Sequence, residues 1–495
     1  MLPLEQLSQI VKVHLGLYNY AEDIQYSCKW AIRESALGGR GLFATEDIAS
    51  GEVLFVDHPL IRGPRITAPR GCTVCSLIDN DNCFNCHKCA CFLCSKECQN
   101  SSQHCEDCTI ISGWTNKMPI EEVDDILLSR ALTPIRALLL NEDQKLLMAS
   151  LQAHKLPQHG AEIRNLKEYF HIPEDDEQLL TLACCALDTN AFQIATAYGK
   201  KEVSMRGLYP VSGLMNHNCV PNTRYSYNGD HQMTVKAVKP IRAGTEIFTC
   251  YTGTLWGTPA RRMHLYKTKH FLCQCERCAD PTERGTLLGA LKCFSQECPG
   301  SLLPVEPLKL SSTWRCLQCG MRVPNKSICI LQKALGSLMS SLDFENVDHL
   351  ENFLVYRINK YIPKTNQIVV DLQCRLIWEI GDKEGLQWHE LSESRLALKE
   401  SLCRGTLRTV AALGAGDAHL RGLLLYHLHA ALAERARRCP SLYEELKTEI
   451  ECTIEQAFSI LQGDISAPPD IELRYTYLGP GSDKPHRERF FILDG

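Results

Sequence analysis

Three observations place this chain in the α+β class, as a β-rich core split by a metal-binding insert and followed by a helical region. Short segments with strand patterning occur in two separated stretches, near residues 30–61 and 224–251. Cysteines at metal-ligand spacing are concentrated between those stretches and again directly after the second one. Beyond Cys319 the apolar periodicity turns helical and stays so to about Leu461.

The first β stretch reads as Trp30 to Ile32, a Gly38-Gly39-Arg40-Gly41 turn, Leu42 to Ala44, and Val53 to Val56. Residues 72–108 then spell C-x2-C, C-x2-C, C-x3-C and H-x3-C. The eight candidate ligands are Cys72, Cys75, Cys86, Cys89, Cys94, Cys98, His104 and Cys108, two full tetrahedral sets for structural zinc. A segment of 37 residues with few large apolar side chains cannot offset its own chain entropy, so metal is expected to supply most of its folding free energy. A disulfide cluster is the competing reading, disfavoured by the recurring pair spacing and the well-placed His. Cys83, Cys91 and Cys105 are surplus, and Cys83 competes with Cys86 for the ligand role.

Composition agrees with metal ligation. Of 27 cysteines, ten fall within residues 72–108 and seven within 273–319, a clustering foreign to secreted disulfide scaffolds. No apolar run reaches the length of a membrane span, and Glu5 and His14 interrupt the N-terminus where a secretory signal needs an apolar core. The expected location is cytoplasm, nucleus or both. The finger carries Lys88 and Lys96 against Asp79, Asp81, Glu97, Glu106 and Asp107, a formal −3 that its thiolates deepen. Such a surface forfeits the attraction to phosphate on which DNA binding depends, so a protein or peptide partner is expected there.

After the finger, from about Ile120 to Phe170, the spacing is helical, with Val123, Ile126, Leu127 and Leu132 and later Leu138, Leu139, Leu146, Leu147 and Leu151. Strands return at Arg224 to Tyr227 and Met233 to Val238 about an Asn228-Gly229 hairpin turn, followed by Glu246 to Tyr251. Cys293-x4-Cys298 with Cys316-x2-Cys319-Gly320 has zinc-ribbon spacing, the alternative being unpaired buried cysteines. Two leucine-rich stripes, Leu420 to Leu432 and Leu446 to Leu461, flank Cys439-Pro440-Ser441 as a helical hairpin whose apolar faces are packing surfaces. The last thirty residues have the Pro and Gly content of an exposed tail, with Phe490-Phe491-Ile492 able to dock.

Four segments taken in order carry a resemblance: Gly39-Arg40-Gly41-Leu42-Phe43-Ala44, Asn216-His217-Asn218-Cys219-Val220-Pro221-Asn222, Glu246 to Tyr251, and Cys273-Gln274-Cys275-Glu276-Arg277-Cys278. Together with the inserted finger they resemble the SET-and-MYND (SMYD) family of protein-lysine methyltransferases, in its insect-expanded branch. The resemblance implies an N-terminal segment (1–27), a first SET part (28–71), a MYND-type finger (72–108) and a helical insert (109–190). A second SET part (191–256), a post-SET zinc clasp (257–284), a zinc ribbon (285–327), a TPR-like helical domain (328–465) and a tail (466–495) complete it.

The same resemblance implies S-adenosylmethionine as cofactor, contacted by Gly39, Arg40, Gly41, Leu42, Asn190, Asn216, His217, Tyr251 and Phe271. Tyr251 is then catalytic, because in-line methyl transfer needs a lysine amine aligned in a partly desolvated channel; Tyr209 stands near that channel. The clasp metal would be held by Cys219 with Cys273, Cys275 and Cys278, and the ribbon's by Cys293, Cys298, Cys316 and Cys319, for about four structural zinc ions in all. Expected partners are lysine-bearing protein substrates, histones or others in gene regulation, and Pro-rich peptides of transcriptional partners at the finger, with the protein a monomer. Asn218 and Cys250 stand where the family commonly has Ser, and they motivate a rival reading, a catalytically weak adaptor that binds corepressor-like proteins.

Overall fold

Alternating burial makes the first hairpin: β1 (Trp30–Glu34) pairs antiparallel with β2 (Arg40–Ala44), Trp30 opposite Ala44 and Glu34 opposite Arg40. Gly38 and Gly39 close it at φ 98° and 68°, a left-handed turn that residues with a Cβ avoid. This computed structural model describes residues 2–19, 24–25, 28–78, 82–154, 160–198, 202–482 and 490; Asp79, Asp81, Phe491 and Ile492 lie outside them. The chain forms two units. The first comprises Met1–Asn216, Tyr225–Phe248 and Gly463–Pro468, and the second His217–Arg224, Thr249–Gln462 and Pro469–Gly495.

In the first unit, α1 (Leu4–His14) buries Leu7, Ile10 and Val11, and the hairpin is followed by β3 (Val53–Asp57) and β4 (Ile61–Pro64). The finger contains β5 (Phe84–Asn85), β6 (Phe92–Leu93), α2 (Lys96–Gln99) and α3 (Ser102–Gly113). Next come α4 (Asp125–Ile135), α5 (Glu142–Ser150) and α6 (Ala161–Leu166), within the stretch where the periodicity predicts helix, and α7 (Glu174–Asn190), beyond it. The β core returns as β7 (Phe192–Ile194), β8 (Met205–Leu208), β9 (Asn216–His217), β10 (Thr223–Tyr227), β11 (Met233–Ala237) and β12 (Glu246–Thr249), of which the end residues His217, Thr223, Arg224 and Thr249 are counted with the second unit. Three small sheets result, in the orders β7-β8-β4, β9-β12-β2-β1 and β10-β11-β3. Trp30, Leu42, Phe55, Leu208, Tyr209, Val235 and Ile247 belong to one buried cluster.

The finger's apolar core extends beyond its own residues. Its ligands Cys72, Cys86 and Cys89 share one apolar cluster with Leu93, Ile111 and Trp114 and with Leu128, Leu132, Ile135, Leu166, Phe170 and Leu180 from the elements that follow. The segment has few large side chains of its own, Leu93 among them, and α4, α6 and α7 lend it theirs. Burial of these side chains stabilises the finger together with its metals.

The second unit opens on α8 (Thr258–Lys269) and α9 (Glu276–Ala279). A four-stranded antiparallel ribbon follows, β13 (Leu291–Lys292), β14 (Ser301–Pro304), β15 (Trp314–Cys316) and β16 (Arg322–Val323), in sequential order. The helical region consists of α10 (Asn325–Ser340), α11 (Val347–Asn352), α12 (Gln367–Glu379), α13 (Glu393–Ala412), α14 (His419–Arg438) and α15 (Tyr443–Leu461). The hairpin read from the leucine stripes is α14 with α15. Where an exposed tail is expected, α16 (Ile471–Leu478) forms and buries Ile471, Arg474 and Leu478. Tyr475 stacks on Phe458 with ring centroids 4.4 Å apart, and Arg474 donates to Asp470 at 2.5 Å, so aromatic stacking and an ion pair hold a helix that local composition does not announce. Phe490 is buried against Tyr443.

Candidate active site and zinc centres

Four clusters each bring four ligand atoms within 4.8 Å of one another: Cys72/Cys75/Cys94/Cys98, Cys86/Cys89/His104/Cys108, Cys219/Cys273/Cys275/Cys278 and Cys293/Cys298/Cys316/Cys319. None of the 27 cysteines forms a disulfide. Sulfur separations of 3.4 Å (Cys75–Cys94) and 3.6 Å (Cys94–Cys98) lie near the edge of about 3.8 Å set by a tetrahedron with bonds of about 2.3 Å. The finger is cross-braced, and Cys86 rather than Cys83 is the ligand.

Helix caps aim two of these ligands. Ser95 accepts from the Cys98 amide at the start of α2, and Ser101 from the His104 amide at the start of α3. His104 Nδ1 donates to the Gln99 carbonyl at 2.7 Å, which leaves the Nε2 lone pair for metal, 3.5 Å from Cys89 Sγ. Between the ligands His104 and Cys108, buried Asp107 accepts a two-pronged bond from Arg136 (3.0 and 2.7 Å), whose Nη2 also donates to Thr73 O at 3.1 Å. Arg136 therefore locks the two ends of the finger to α4 and the turn that follows it. A lone Arg in a helical pattern gave no sign of this.

In the first unit the residues assigned to the cofactor gather around the second strand. Asn216 Nδ2 donates to Arg40 O at 3.0 Å and to Glu246 Oε1 at 2.7 Å, while Glu246 Oε2 accepts from Ser35 Oγ at 3.0 Å. A Cβ on Gly41 would lie 2.3 Å from Glu246 Oε1, so glycine is required by close approach there. Arg40 donates through Nη2 to the Ser150 carbonyl, and its Nη1 is buried with no partner. Asn190, at the end of α7, donates to Gln152 O at 2.7 Å and Ala186 O at 2.8 Å. Leu42 is fully buried. Tyr209 is fully buried too; its hydroxyl donates to His231 O at 2.7 Å, its ring lies against Phe192 and Tyr227, and burial raises its pKa.

The second unit holds His217, Tyr251 and Phe271 together over the clasp. Ring centroids are 5.2 Å apart for His217–Tyr251 and 6.0 Å for His217–Phe271, and Tyr251 packs against the buried cluster of Cys219, Leu265, Cys273 and Cys278. His217 Nδ1 accepts the Tyr251 amide at 3.0 Å, and its Nε2 lies 3.2 Å from Cys219 Sγ. With Nδ1 an acceptor, Nε2 carries the proton and donates to the sulfur. Burial lowers the His217 pKa to about 4, so the ring is neutral. One imidazole thus ties a clasp ligand to the backbone of Tyr251.

Two arginines and a glutamate complete the clasp. Arg261 donates through Nε to Cys219 Sγ at 3.1 Å, through Nη2 to Cys278 Sγ at 3.5 Å and through Nη1 to Glu283 Oε2 at 2.6 Å. Arg277 donates to the same carboxylate at 3.2 Å and to the carbonyls of Thr254 and Trp256 at 2.8 and 3.0 Å. All three are buried. Four thiolates about one divalent ion carry a net negative charge, which the guanidinium pair offsets. Arg277 lies inside the cysteine motif and was the available signal; Arg261 and Glu283 had none.

Asn218 Oδ1 accepts the Val220 amide at 2.9 Å and shapes the turn into Cys219, and Cys250 Sγ bonds the Thr252 carbonyl at 3.2 Å. Both departures from the family pattern serve local turns. In the ribbon, Cys293–Cys319 and Cys298–Cys316 sulfurs are 3.5 and 3.7 Å apart, and a Cβ on Gly300 would sit 2.7 Å from Cys316 Sγ. The cysteine cradle excludes any side chain at that position.

A family model described as SET domain matches residues 39–252. The SET domain-containing protein SmydA-8, isoform B, of Drosophila melanogaster is 30% identical over 431 residues, which cover 85% of this chain and 94% of that protein. Histone-lysine N-methyltransferase SMYD3 of Mus musculus is 30% identical over 297 residues, covering 56% of this chain and 67% of the relative. A crystal structure of the SET domain of LSMT bound to lysine and AdoHcy aligns over 91% of this chain at 12% identity, with a TM-score of 0.30 that is too low to support structural comparison.

Proposed function

Since this chain belongs to the SET-and-MYND family, we propose that it is an S-adenosylmethionine-dependent protein-lysine methyltransferase with about four structural zinc ions. The observation that carries the reading is the fixing of Tyr251 by His217 on the clasp. S-adenosylmethionine supplies a methyl group on a positively charged sulfur. Arg40, with a buried donor awaiting an acceptor, suits the carboxylate at the amino-acid end of such a molecule. Gly39, Gly41 and Leu42 offer backbone at close approach, with Asn190 and the peptide-bonded pair Asn216-His217 as further contacts, and Phe271 presents an apolar face for the adenine ring.

Tyr251 has the catalytic role. Its hydroxyl aligns the incoming lysine amine, and the partly buried surroundings favour the neutral, nucleophilic form. Tyr209 is assigned to the walls of the lysine channel. Zinc at the four clusters supplies rigidity rather than Lewis-acid chemistry, because each cluster offers a closed four-ligand set. The substrates are proteins, histones or others in gene regulation, and the finger is proposed to take Pro-rich peptides of transcriptional partners. Among the described residues no helix is long and apolar enough to cross a membrane.

The test is transfer of labelled methyl from S-adenosylmethionine to proteins of a cell extract, run beside Tyr251→Phe. Labelled bands that fade in the variant are the expected result. Cofactor binding without transfer to any protein would leave the adaptor reading.

A further inference from the structure

We propose that Lys269 is a methylation site of this protein, modified by the chain's own Tyr251 centre; this rests on the methyltransferase reading above. Lys269 is the last residue of α8, and His270, at φ 61°, ends the helix and turns the chain. The Lys269 Nζ lies 5.6 Å from the centroid of the Tyr251 ring, within the roughly 6 Å reach of a cation–π contact. An amine held over that ring stands beside the group assigned to align a substrate lysine.

The placement is imposed by helix anchoring. Arg261, Arg262 and Leu265 bury one face of α8, with Arg261 bonded to clasp sulfurs and Arg262 donating to Cys273 O at 3.0 Å. Two residues earlier, Lys267 is exposed, whereas Lys269 is half-buried. The helix is therefore fixed to the same cysteine cluster against which Tyr251 packs, with Lys269 at its end. Such tethering replaces a bimolecular encounter with an intramolecular one.

In the step itself, the neutral Lys269 amine uses its lone pair to form the N–C bond as the bond between that methyl carbon and the sulfonium sulfur breaks. The bond pair stays on sulfur, which becomes a neutral thioether, and the positive charge passes to nitrogen, whose extra proton is given up to water before the attack. The product keeps its positive charge, so its attraction to the Tyr251 ring survives.

The test uses pure full-length protein with methyl-labelled S-adenosylmethionine and no other protein, followed by peptide mass mapping. Label on Lys269, absent from Lys267, at a rate independent of protein concentration, is the expected result; Lys269→Arg should lose it. A second readout needs no cofactor: an amine-acylating reagent should modify Lys269 several-fold more slowly than Lys267. Unlabelled Lys269 in a preparation that methylates extract proteins would overturn this proposal and spare the enzyme reading. Cofactor-bound protein that labels neither itself nor any extract protein would overturn both. Self-labelling that persists in Lys269→Arg, or equal acylation of the two lysines, would show that the site is elsewhere.

Discussion

In the finger, eight ligands surround two metal positions, and the side chains that orient them are a helix cap, a carbonyl and the Asp107–Arg136 pair, all facing the protein's own framework. In the clasp, four ligands surround one position, and the groups that orient them are Arg261, bonded to Cys219 and Cys278, and His217, which also holds the amide of Tyr251. Ligand chemistry is nearly identical in the two regions. The difference lies in what the second layer of hydrogen bonds reaches, and it teaches that a zinc site's role follows from those outer partners rather than from its cysteines.

The strongest way to break this contrast is to remove one ligand from each region. Cys275→Ser should abolish methyl transfer and lower the zinc content from about four ions to three, whereas Cys72→Ser should lose finger metal and keep cofactor affinity. Elemental analysis, calorimetry and transfer assays read these outcomes. Equal damage to cofactor binding by both variants would erase the distinction.

A second test addresses the finger's anchor. Arg136→Met strands the buried Asp107 carboxylate and should cost about 3 to 5 kcal/mol of stability, while the double variant Arg136→Met, Asp107→Leu should recover part of it. Denaturant unfolding measures both, and a single variant as stable as wild type would show the pair to be dispensable.

On the clasp side, Tyr251→Phe removes one positioned hydroxyl and should lower single-turnover transfer by an amount worth about 2 to 4 kcal/mol, with cofactor affinity little changed. His217→Ala should weaken cofactor binding, by the contact proposed for it, and clasp metal, because its ring donates to Cys219 Sγ. If His217→Ala kept its zinc and its affinity, the proposed link would be absent.

The smallest expected effect lies in the helical region, which holds none of the four ligand clusters found among the described residues. Lys399 is fully buried, within 3.1 Å of His427 Nδ1 and over the Trp388 ring, and burial lowers its pKa to about 8 from 10.5; Cys403 and Asp382 act against the shift and Arg474 with it. Between those values the unfolded chain holds a proton that the folded chain has lost, so stability should rise with pH from about 8 to 10.5, by at most about 1.4 kcal/mol per pH unit. Below pH 8 the penalty of the buried charge is constant. Unfolding of wild type against Lys399→Met isolates this term: their difference should be flat below pH 8 and grow above it.

How far the sequence could be read followed from how local each signal is. Ligand spacing is local, so all sixteen cysteine and histidine ligands of the four clusters were legible, apart from the register at Cys83 and Cys86. There the choice needed the three-dimensional placement of His104 and Cys108. The strands about Gly38-Gly39 and Asn228-Gly229 and the α14–α15 hairpin were legible because side-chain period and turn chemistry are written along a few residues.

What the sequence alone determined is the set of ligands, the order of strands and helices, and the ordered motifs that identify the family. Tertiary structure decided which distant side chains serve them. Arg136 finding Asp107, Arg261 and Arg277 sharing Glu283, His217 joining Cys219 to Tyr251, and Tyr426 donating to Asp470 at the head of α16 are all pairings between residues whose local context gives no sign of them. A buried charge must be paired, but the partner is chosen by the packing of the whole chain, and no window of sequence contains that choice.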